Sequence, residues 1–260
     1  MGASWARASF AVLAVVGCAN AVELSLGVRS GLNLGTWYGA HDFTYTYGGE
    51  TYTARVDDDR TPKPGIDVDA VLSLRFKRWL ALQTGLGYTM KGYRRSGPVE
   101  FMGTRIEYTE VLNISYLEVP LLVKVVAAAD LGDIGFYAGA AYDVRVGVDG
   151  YYRASSADEE PETEDMSRET KNDLDHMLSR HDLGIAGGIM FEAGRGPVRF
   201  LIDLRYTHGL LKVYDNVNRL PTYIAAAGVP DHKNLCFTLA AGVTYTFGRG
   251  AADSDRARGD

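Results

Sequence analysis

Leu235, Phe237, Leu239, Ala241, Val243, Tyr245 and Phe247 alternate with Cys236, Thr238, Ala240, Gly242, Thr244 and Thr246. A period of two puts the first set on one face of a strand and the second on the other. The apolar face is long enough for a bilayer, because a tilted membrane strand needs about 9–11 residues and alternates lipid-facing with lumen-facing side chains.

Seven earlier segments repeat the division. Val22, Leu24, Leu26, Val28, Leu32 and Leu34 stand against Glu23, Ser25, Arg29 and Asn33. Ile66, Val68, Ala70, Leu72, Leu74 and Phe76 stand against Asp67, Asp69, Ser73 and Arg75. Next come Leu80, Leu82, Leu86, Tyr88 and Met90 against Gln83, Thr89 and Lys91, then Leu117, Val119, Leu121, Val123 and Val125 against Tyr116, Glu118 and Lys124. The fifth sets Phe136, Ala138, Ala140, Tyr142, Val144, Val146 and Val148 against Tyr137, Asp143, Arg145 and Asp149. Leu183, Ile185, Ile189 and Phe191 then oppose Asp182, Met190 and Glu192, and Val198, Phe200, Ile202, Leu204 and Tyr206 oppose Arg199, Asp203 and Arg205. An even count of such segments predicts an all-β fold, an eight-stranded antiparallel transmembrane up-and-down β-barrel.

The connections alternate in length. Lys77-Arg78, Ala127 to Asp133 and Gly194 to Pro197 are short, whereas Thr36 to Gly65, Arg94 to Glu107, Arg153 to Arg180 and Tyr214 to His232 are long and polar. This arrangement predicts short periplasmic turns, long extracellular loops and both termini in the periplasm. Trp37, Tyr38, Trp79, Tyr93, Tyr151, Tyr152 and Tyr214 fall near strand ends, where an interfacial girdle and loop packing explain them equally well. Pro120 interrupts the fourth segment and cannot donate a ladder hydrogen bond, so a bulge or broken pairing is expected there.

Composition narrows the compartment. Residues 1–21 carry one charge, Arg7, a short apolar run from Phe10 to Gly17 and a small-x-small Ala19-Asn20-Ala21, the pattern of a secretory signal peptide. Val15-Val16-Gly17-Cys18 forms a competing, loose lipobox. Residues 22–247 then make the barrel and Gly248 to Asp260 a polar, disordered tail. Loss of Arg7 takes the formal net charge of −6 to −7, which argues against nucleic acid as a partner. With Cys18 removed, Cys236 is alone, so neither a disulfide nor a thiolate metal cluster is available.

The inward positions carry acids (Glu23, Asp67, Asp69, Glu118, Asp143, Asp149, Asp182, Glu192, Asp203) nearly balanced by bases (Arg29, Arg75, Lys91, Lys124, Arg145, Arg199, Arg205). Eight strands enclose just enough room for side chains, so these charges are expected to pair and plug the lumen. A soluble lipocalin-like barrel would reverse the two faces.

Tyr116-Leu117-Glu118-Val119-Pro120-Leu121-Leu122-Val123-Lys124 resembles the signature of the PorT-like outer-membrane β-barrel family, with Tyr116, Leu117, Glu118, Pro120 and Lys124 as its key positions. Shorter stretches agree: Gly27 to Asn33, Asp182-Leu183-Gly184, Arg205-Tyr206 with Gly209-Leu210, and Asn234. The resemblance implies a small barrel of the OmpX, OmpA and OmpW shape in the bacterial outer membrane, and some family members serve a protein-secretion apparatus. Gly242, Tyr245 and Phe247 resemble the terminal signal read by the outer-membrane insertion machinery, although a tail follows them here.

Chemistry is scarce. His41, His176, His181, His208 and His232 form no Ser/His/acid or HExxH spacing, so no enzyme, cofactor or metal is expected. Asp57-Asp58-Asp59 and the acids Asp158, Glu159, Glu160, Glu162, Glu164, Asp165, Glu169, Asp173 and Asp175 lack EF-hand spacing and read as solvated surface. Glu169 to Leu178 has the three- and four-residue steps of a short helix. Gly85-Leu86-Gly87 lies within a strand pattern and is no phosphate loop, and the Asn113-Ile114-Ser115 sequon falls in a membrane strand. The expected role is a surface-exposed scaffold or binding and envelope-integrity protein, embedded in outer-membrane lipid and meeting host or envelope ligands through its loops. The alternatives are a narrow porin-like or hydrophobic-solute channel and a secretion-apparatus subunit.

Overall fold

All eight alternating segments are strands in a computed structural model, which describes residues 23–39, 42–47, 50–55, 60–101, 104–156, 162–194, 196–214 and 232–247. In chain order the elements are β1 (Glu23–Tyr38), β2 (Asp42–Tyr47), β3 (Glu50–Arg55), β4 (Arg60–Thr61), β5 (Lys63–Lys77), β6 (Leu80–Phe101), β7 (Thr104–Ala129), β8 (Gly132–Ser156), β9 (Glu162–Asp165), α1 (Arg168–Met177), β10 (His181–Ala193), β11 (Val198–Gly209) and β12 (Lys233–Phe247). The signal peptide, the C-terminal tail, His41, Asp57 to Asp59, Asp158 to Glu160 and most of the link from Tyr214 to His232 lie outside the described residues.

β1 pairs with β5 on one side and β12 on the other, and β5, β6, β7, β8, β10, β11 and β12 follow as antiparallel neighbours until the ring closes. The closing seam runs from Leu24↔Phe247 to Tyr38↔Lys233. Short turns after β5, β7 and β10 share one end with Glu23 and Phe247, here termed the turn end; the opposite, loop end carries β2 and β3, β4, β9 and α1.

The faces divide as their period requires. Leu32, Phe200 and Leu239 are 67%, 66% and 60% exposed on the outer wall, and Leu86, Leu121, Val123, Phe136, Ile185, Ile202, Leu204 and Phe237 join them. Arg29, Asp69, Glu118, Asp143, Asp203 and Arg205 are buried inside. Such an outer wall would be a severe aggregation hazard in water and is the natural surface in lipid.

Two expectations need correction. The link from Arg94 to Glu107 is not a loop: β6 continues to Phe101 and β7 starts at Thr104, paired from Phe101↔Thr104 downward. The ladder carries on even through Gly97↔Tyr108 and Pro98↔Glu107. Pro120 meets one of its two expected outcomes. Between Thr84↔Leu121 and Gly87↔Glu118 the β6–β7 ladder keeps its register but has no pairs. The pairing is therefore broken without a bulge, and the Thr84 hydroxyl donates to the Pro120 carbonyl at 2.7 Å in place of a backbone partner.

The second correction follows from a bulge elsewhere. The β7–β8 register shifts between Ser115↔Gly147 and Tyr116↔Arg145, leaving Val146 as the extra residue. A one-residue slip exchanges the two faces. Beyond it Val148 packs inward and Asp149 is exposed, the reverse of the assignment made by carrying the alternation straight on.

Candidate functional site: an ionic lumen beneath an apolar cap

The lumen is built in layers, because inward residues of neighbouring strands meet at fixed registers. At mid-height Arg29 lies opposite Asp69, and its Nε donates to Asp69 at 2.6 Å while Nη1 reaches Asp203. Arg205 bonds Glu118 and lies 3.6 Å from Asp69. Lys91 bridges Asp143 at 2.6 Å and Glu118 at 3.6 Å. The Tyr137 hydroxyl donates to the second oxygen of Asp203 at 2.7 Å. These contacts join β1, β5, β6, β7, β8 and β11, tying the walls together across the barrel.

Two glycines make room for this layer. A Cβ on Gly87 would collide with Asp69 Oδ1, and one on Gly242 would lie 2.7 Å from the Arg29 Cβ. Gly242 thus has a packing duty besides its place in the terminal signature, whose Tyr245 and Phe247 are exposed on the outer wall.

Nearer the turn end, Asp133 accepts from Arg75 at 3.2 Å and Arg199 at 2.5 Å, and Lys124 donates to Glu192 at 2.9 Å. Glu23 stands 3.9 Å from Arg75. Glu23, Ser25, Ser73, Arg75, Lys124, Glu192, Arg199 and Thr246 line a small polar recess there. Asp133 is a member of this cluster that the alternation alone did not single out; its place beside a short turn hid it.

The loop end is differently made. Trp37, Tyr93, Leu112, Ile114, Tyr116, Met166, Leu178 and Val213 form a buried apolar cluster, with Val148, Tyr152, Leu174 and Tyr214 packed against it. Loop packing therefore accounts for Trp37, Tyr93, Tyr152 and Tyr214, whereas Trp79 is exposed at the turn end, as a girdle residue would be. α1 lies over this cluster. Its start is capped by Ser167, which accepts from the Thr170 N–H at 3.1 Å. Its end is held by Arg145, which donates to the carbonyls of Asp175 at 2.7 Å, Leu178 at 3.1 Å and Ser179 at 3.1 Å and also pairs with the Asp175 carboxylate.

Arg145 is consequently not a member of the mid-lumen network to which the sequence assigned it. The bulge beside it turns β8 at this level, and the helix carbonyls offer a cation the favourable end of the dipole. Asp149, also expected inside, bonds Lys171 of α1 at 2.7 Å from outside. The Lys171 hydrogen bond, opposed only by slight burial and aided by the Gly150 N–H, holds the Asp149 carboxyl below its ordinary range.

Asp182 is buried and accepts from Asn234 at 2.8 Å, and Asn234 also donates to the Tyr116 hydroxyl at 3.3 Å. Of the motif residues, Tyr116, Glu118, Pro120 and Lys124 point inward and Leu117 outward. His181 and His208 bond tyrosine hydroxyls, Tyr142 at 2.7 Å and Tyr38 at 2.6 Å, while His176 is exposed on α1 and His232 is buried beside Trp37. Cys236 is a buried free thiol. Among the described residues no group of three or more histidine, cysteine or acidic side chains is placed to hold a metal ion.

Known proteins resemble this chain at two levels, solved structures and a family model. Solved structures similar to it include OprG of Pseudomonas aeruginosa (13% identity over 86% of this chain and 95% of that one, TM-score 0.44). Ail, the attachment invasion locus protein of Yersinia pestis in complex with the heparin analogue sucrose octasulfate, shares 13% identity (85% and 99% covered, TM-score 0.34). Neisserial surface protein A shares 11% (86% and 97% covered, TM-score 0.34). A search of curated proteins returned no significant match. The family model for the outer membrane protein beta-barrel domain matches residues 19–215, more than half of the chain. With its lipid-facing wall and enclosed charges, the chain belongs to the outer membrane β-barrel domain family of bacterial outer-membrane proteins.

Proposed function

We propose that this barrel is a sealed anchor whose work is done at its loop end, as a surface scaffold that binds host molecules, envelope proteins or small ligands. The observation that carries the reading is the stacking of two closures. An ion-pair layer crosses the lumen through Arg29, Asp69, Asp203, Arg205 and Glu118, and an apolar cap with α1 sits above it. Paired charges of this kind leave no continuous water path, and the folded cap offers a rigid platform for recognition. In this reading the turn end and both termini face the periplasm, signal peptidase removes residues 1–21, and the insertion machinery reads Gly242, Tyr245 and Phe247. Catalysis has no part in it, because His181 and His208 are engaged with tyrosines rather than with a nucleophile and an acid.

Passage of a small solute is the second reading, favoured by the polar recess that opens at the turn end. Planar-bilayer recording with the purified full chain separates the two. Absence of conductance above the lipid baseline is expected; large, stable channels would replace the sealed-anchor reading with the transport one. Co-purification with a large envelope complex would point instead to the secretion-apparatus role.

A further inference from the structure

The ring closes on β12, which lies between β1 and β11. This seam joins the first and last strands of the ring, so no single turn tethers β1 to β12. Its two flanking strands are nevertheless bonded to each other across β12. On the outer wall near the loop end, Tyr38 of β1 reaches over β12 to β11. Its hydroxyl lies 2.6 Å from His208 Nε2 and donates to the Gly209 carbonyl at 2.7 Å, and the two rings stand 4.5 Å apart. Tyr38 is opposite Lys233 and His208 is opposite Leu235. The phenol therefore passes over the intervening residue, Asn234, whose own side chain turns inward to Asp182 at 2.8 Å.

A phenol has one proton to give. With that proton on the Gly209 carbonyl, His208 must carry its own on Nε2 and donate it to the Tyr38 oxygen. Nδ1 is then left as an acceptor, and the Tyr206 hydroxyl stands 3.1 Å from it. Every polar atom of the contact is thus used. Tyr206 also packs on Phe237 of β12, with ring centroids 4.9 Å apart. The lumen holds a counterpart. Arg29 of β1 bonds Asp203 of β11, and because these residues are opposite Gly242 and Ala240, the guanidinium crosses the inner face of β12 where its side chains are smallest. Tyr142 and His181 make a bond of the same chemistry at 2.7 Å, but they sit on the adjacent strands β8 and β10 and cross nothing.

We propose that Tyr38, His208 and the Gly209 carbonyl form a strap over β12 that locks the closing seam, backed from within the lumen by Arg29 and Asp203. The strap forms only when β12 is already seated between β1 and β11, and it must break before β1 parts from β12. A contact that is absent while the ring is still open slows opening without being needed for closing. At the lipid boundary there is little water to replace its hydrogen bonds, which makes them worth more than the same bonds in solution. The lock thus acts on the lifetime of the closed barrel.

The test follows unfolding of the refolded full chain in detergent at a fixed elevated temperature, read as loss of the folded band's distinct gel mobility with time. Tyr38→Phe keeps the ring and removes both hydrogen bonds; Tyr142→Phe removes the comparable bond between adjacent strands. Tyr38→Phe is expected to unfold about tenfold faster and Tyr142→Phe less than about twofold faster, with both refolding within about twofold of the wild-type rate. Equal acceleration by the two variants, or none by Tyr38→Phe, overturns the strap. A second variant separates a lock on the seam from a general loss of packing. Gly35 lies directly opposite the free thiol Cys236 across β1 and β12, so oxidation of Gly35→Cys bridges the seam. Once bridged, Tyr38→Phe should unfold no faster than the bridged chain that retains Tyr38. Acceleration that survives the bridge overturns the lock. If Tyr38→Phe does not fold, amide exchange in the wild type decides: protection of residues 233–239 as lasting as that of the β10–β11 ladder supports the lock, and exchange there ahead of the other ladders overturns it.

Discussion

Below the level of the Val146 bulge, here termed the rim, the barrel is polar inside and apolar outside; above it, toward the loop end, the same strands are apolar inside and charged outside. β7 shows the change along a single inward face, from Lys124, Pro120 and Glu118 to Tyr116, Ile114 and Leu112. β8 achieves it by slipping one residue at Val146, so that Val148 enters the cap and Asp149 leaves for solvent. The lesson is that the surroundings, not the strand, decide which face is greasy. In lipid the enclosed face must take the polar groups, and in water it must take the apolar ones. The two closures accordingly rest on different forces, ion pairing in the lower and hydrophobic burial in the upper.

The sharpest way to break this contrast is to remove one partner from the lower closure. Arg205→Ala leaves Glu118 buried without its closest cation, with Lys91 at 3.6 Å as its remaining support. A loss of about 3–5 kcal/mol is expected, since stranding a buried charge costs far more than the pair itself contributes. Urea unfolding of the refolded barrel measures it, and a loss under about 1 kcal/mol would mean that water enters freely and the layer is not sealed. Next in size comes the outer wall. Leu239→Arg at mid-height is expected to cost about 2–4 kcal/mol in lipid vesicles. Thr163→Arg, on the exposed β9 above the rim, is expected to change stability by less than about 0.5 kcal/mol. Equal effects at the two positions would contradict a boundary between lipid and water at the rim.

The upper closure should fail locally. Arg145→Met removes three hydrogen bonds to the last carbonyls around α1 together with the Asp175 pair. About 2 kcal/mol is expected to disappear, which is ordinary for hydrogen bonds involving a charged group. Amide exchange in residues 168–178 should quicken while the β1–β12 seam stays protected, because the helix can open without the ring. Simultaneous loss of protection in both would show that cap and barrel unfold as one unit.

How far these regions were readable in the sequence differs for the same reason. Period-two alternation is imposed by lipid on one side and a narrow lumen on the other, so all eight membrane strands and both faces of each were visible, down to Arg29, Asp203 and Arg205. Above the rim neither constraint acts. The stretch from Arg94 to Glu107 therefore read as a polar link although the β6–β7 ladder passes through it, and Val146 carried no sign of a bulge because a valine fits either face. The short helix was detectable from Leu174, Met177 and Leu178, and it forms at Arg168–Met177. Its tether to Arg145 was not, since an inward arginine in a charged lumen has many apparent partners. Nor could the alternation reveal which inward acids and bases meet, because counting them along the chain says nothing about contact.

The smallest effect separates helix docking by charge from docking by apolar contact. Asp149 accepts from Lys171 at 2.7 Å; the Asp149 side chain is 67% exposed and that of Lys171 34%. The hydrogen bond from Lys171 keeps the Asp149 carboxyl below its ordinary range in the folded protein. An acid whose folded value lies below its unfolded one adds stability at pH above the unfolded value and loses it as pH falls through the folded one. Acidification through the carboxylate range should therefore loosen α1, and 1 M salt should mimic it by screening. Because the pair is exposed, only about 0.2–0.5 kcal/mol is at stake. Fluorescence of a probe attached near Lys171 would follow the change, with Asp149→Asn as the control that should lose the pH response. A response that persists in Asp149→Asn would show that this pair does not carry the acid sensitivity, and would leave the attachment of the helix to the guanidinium at the bulge and the carbonyls it holds.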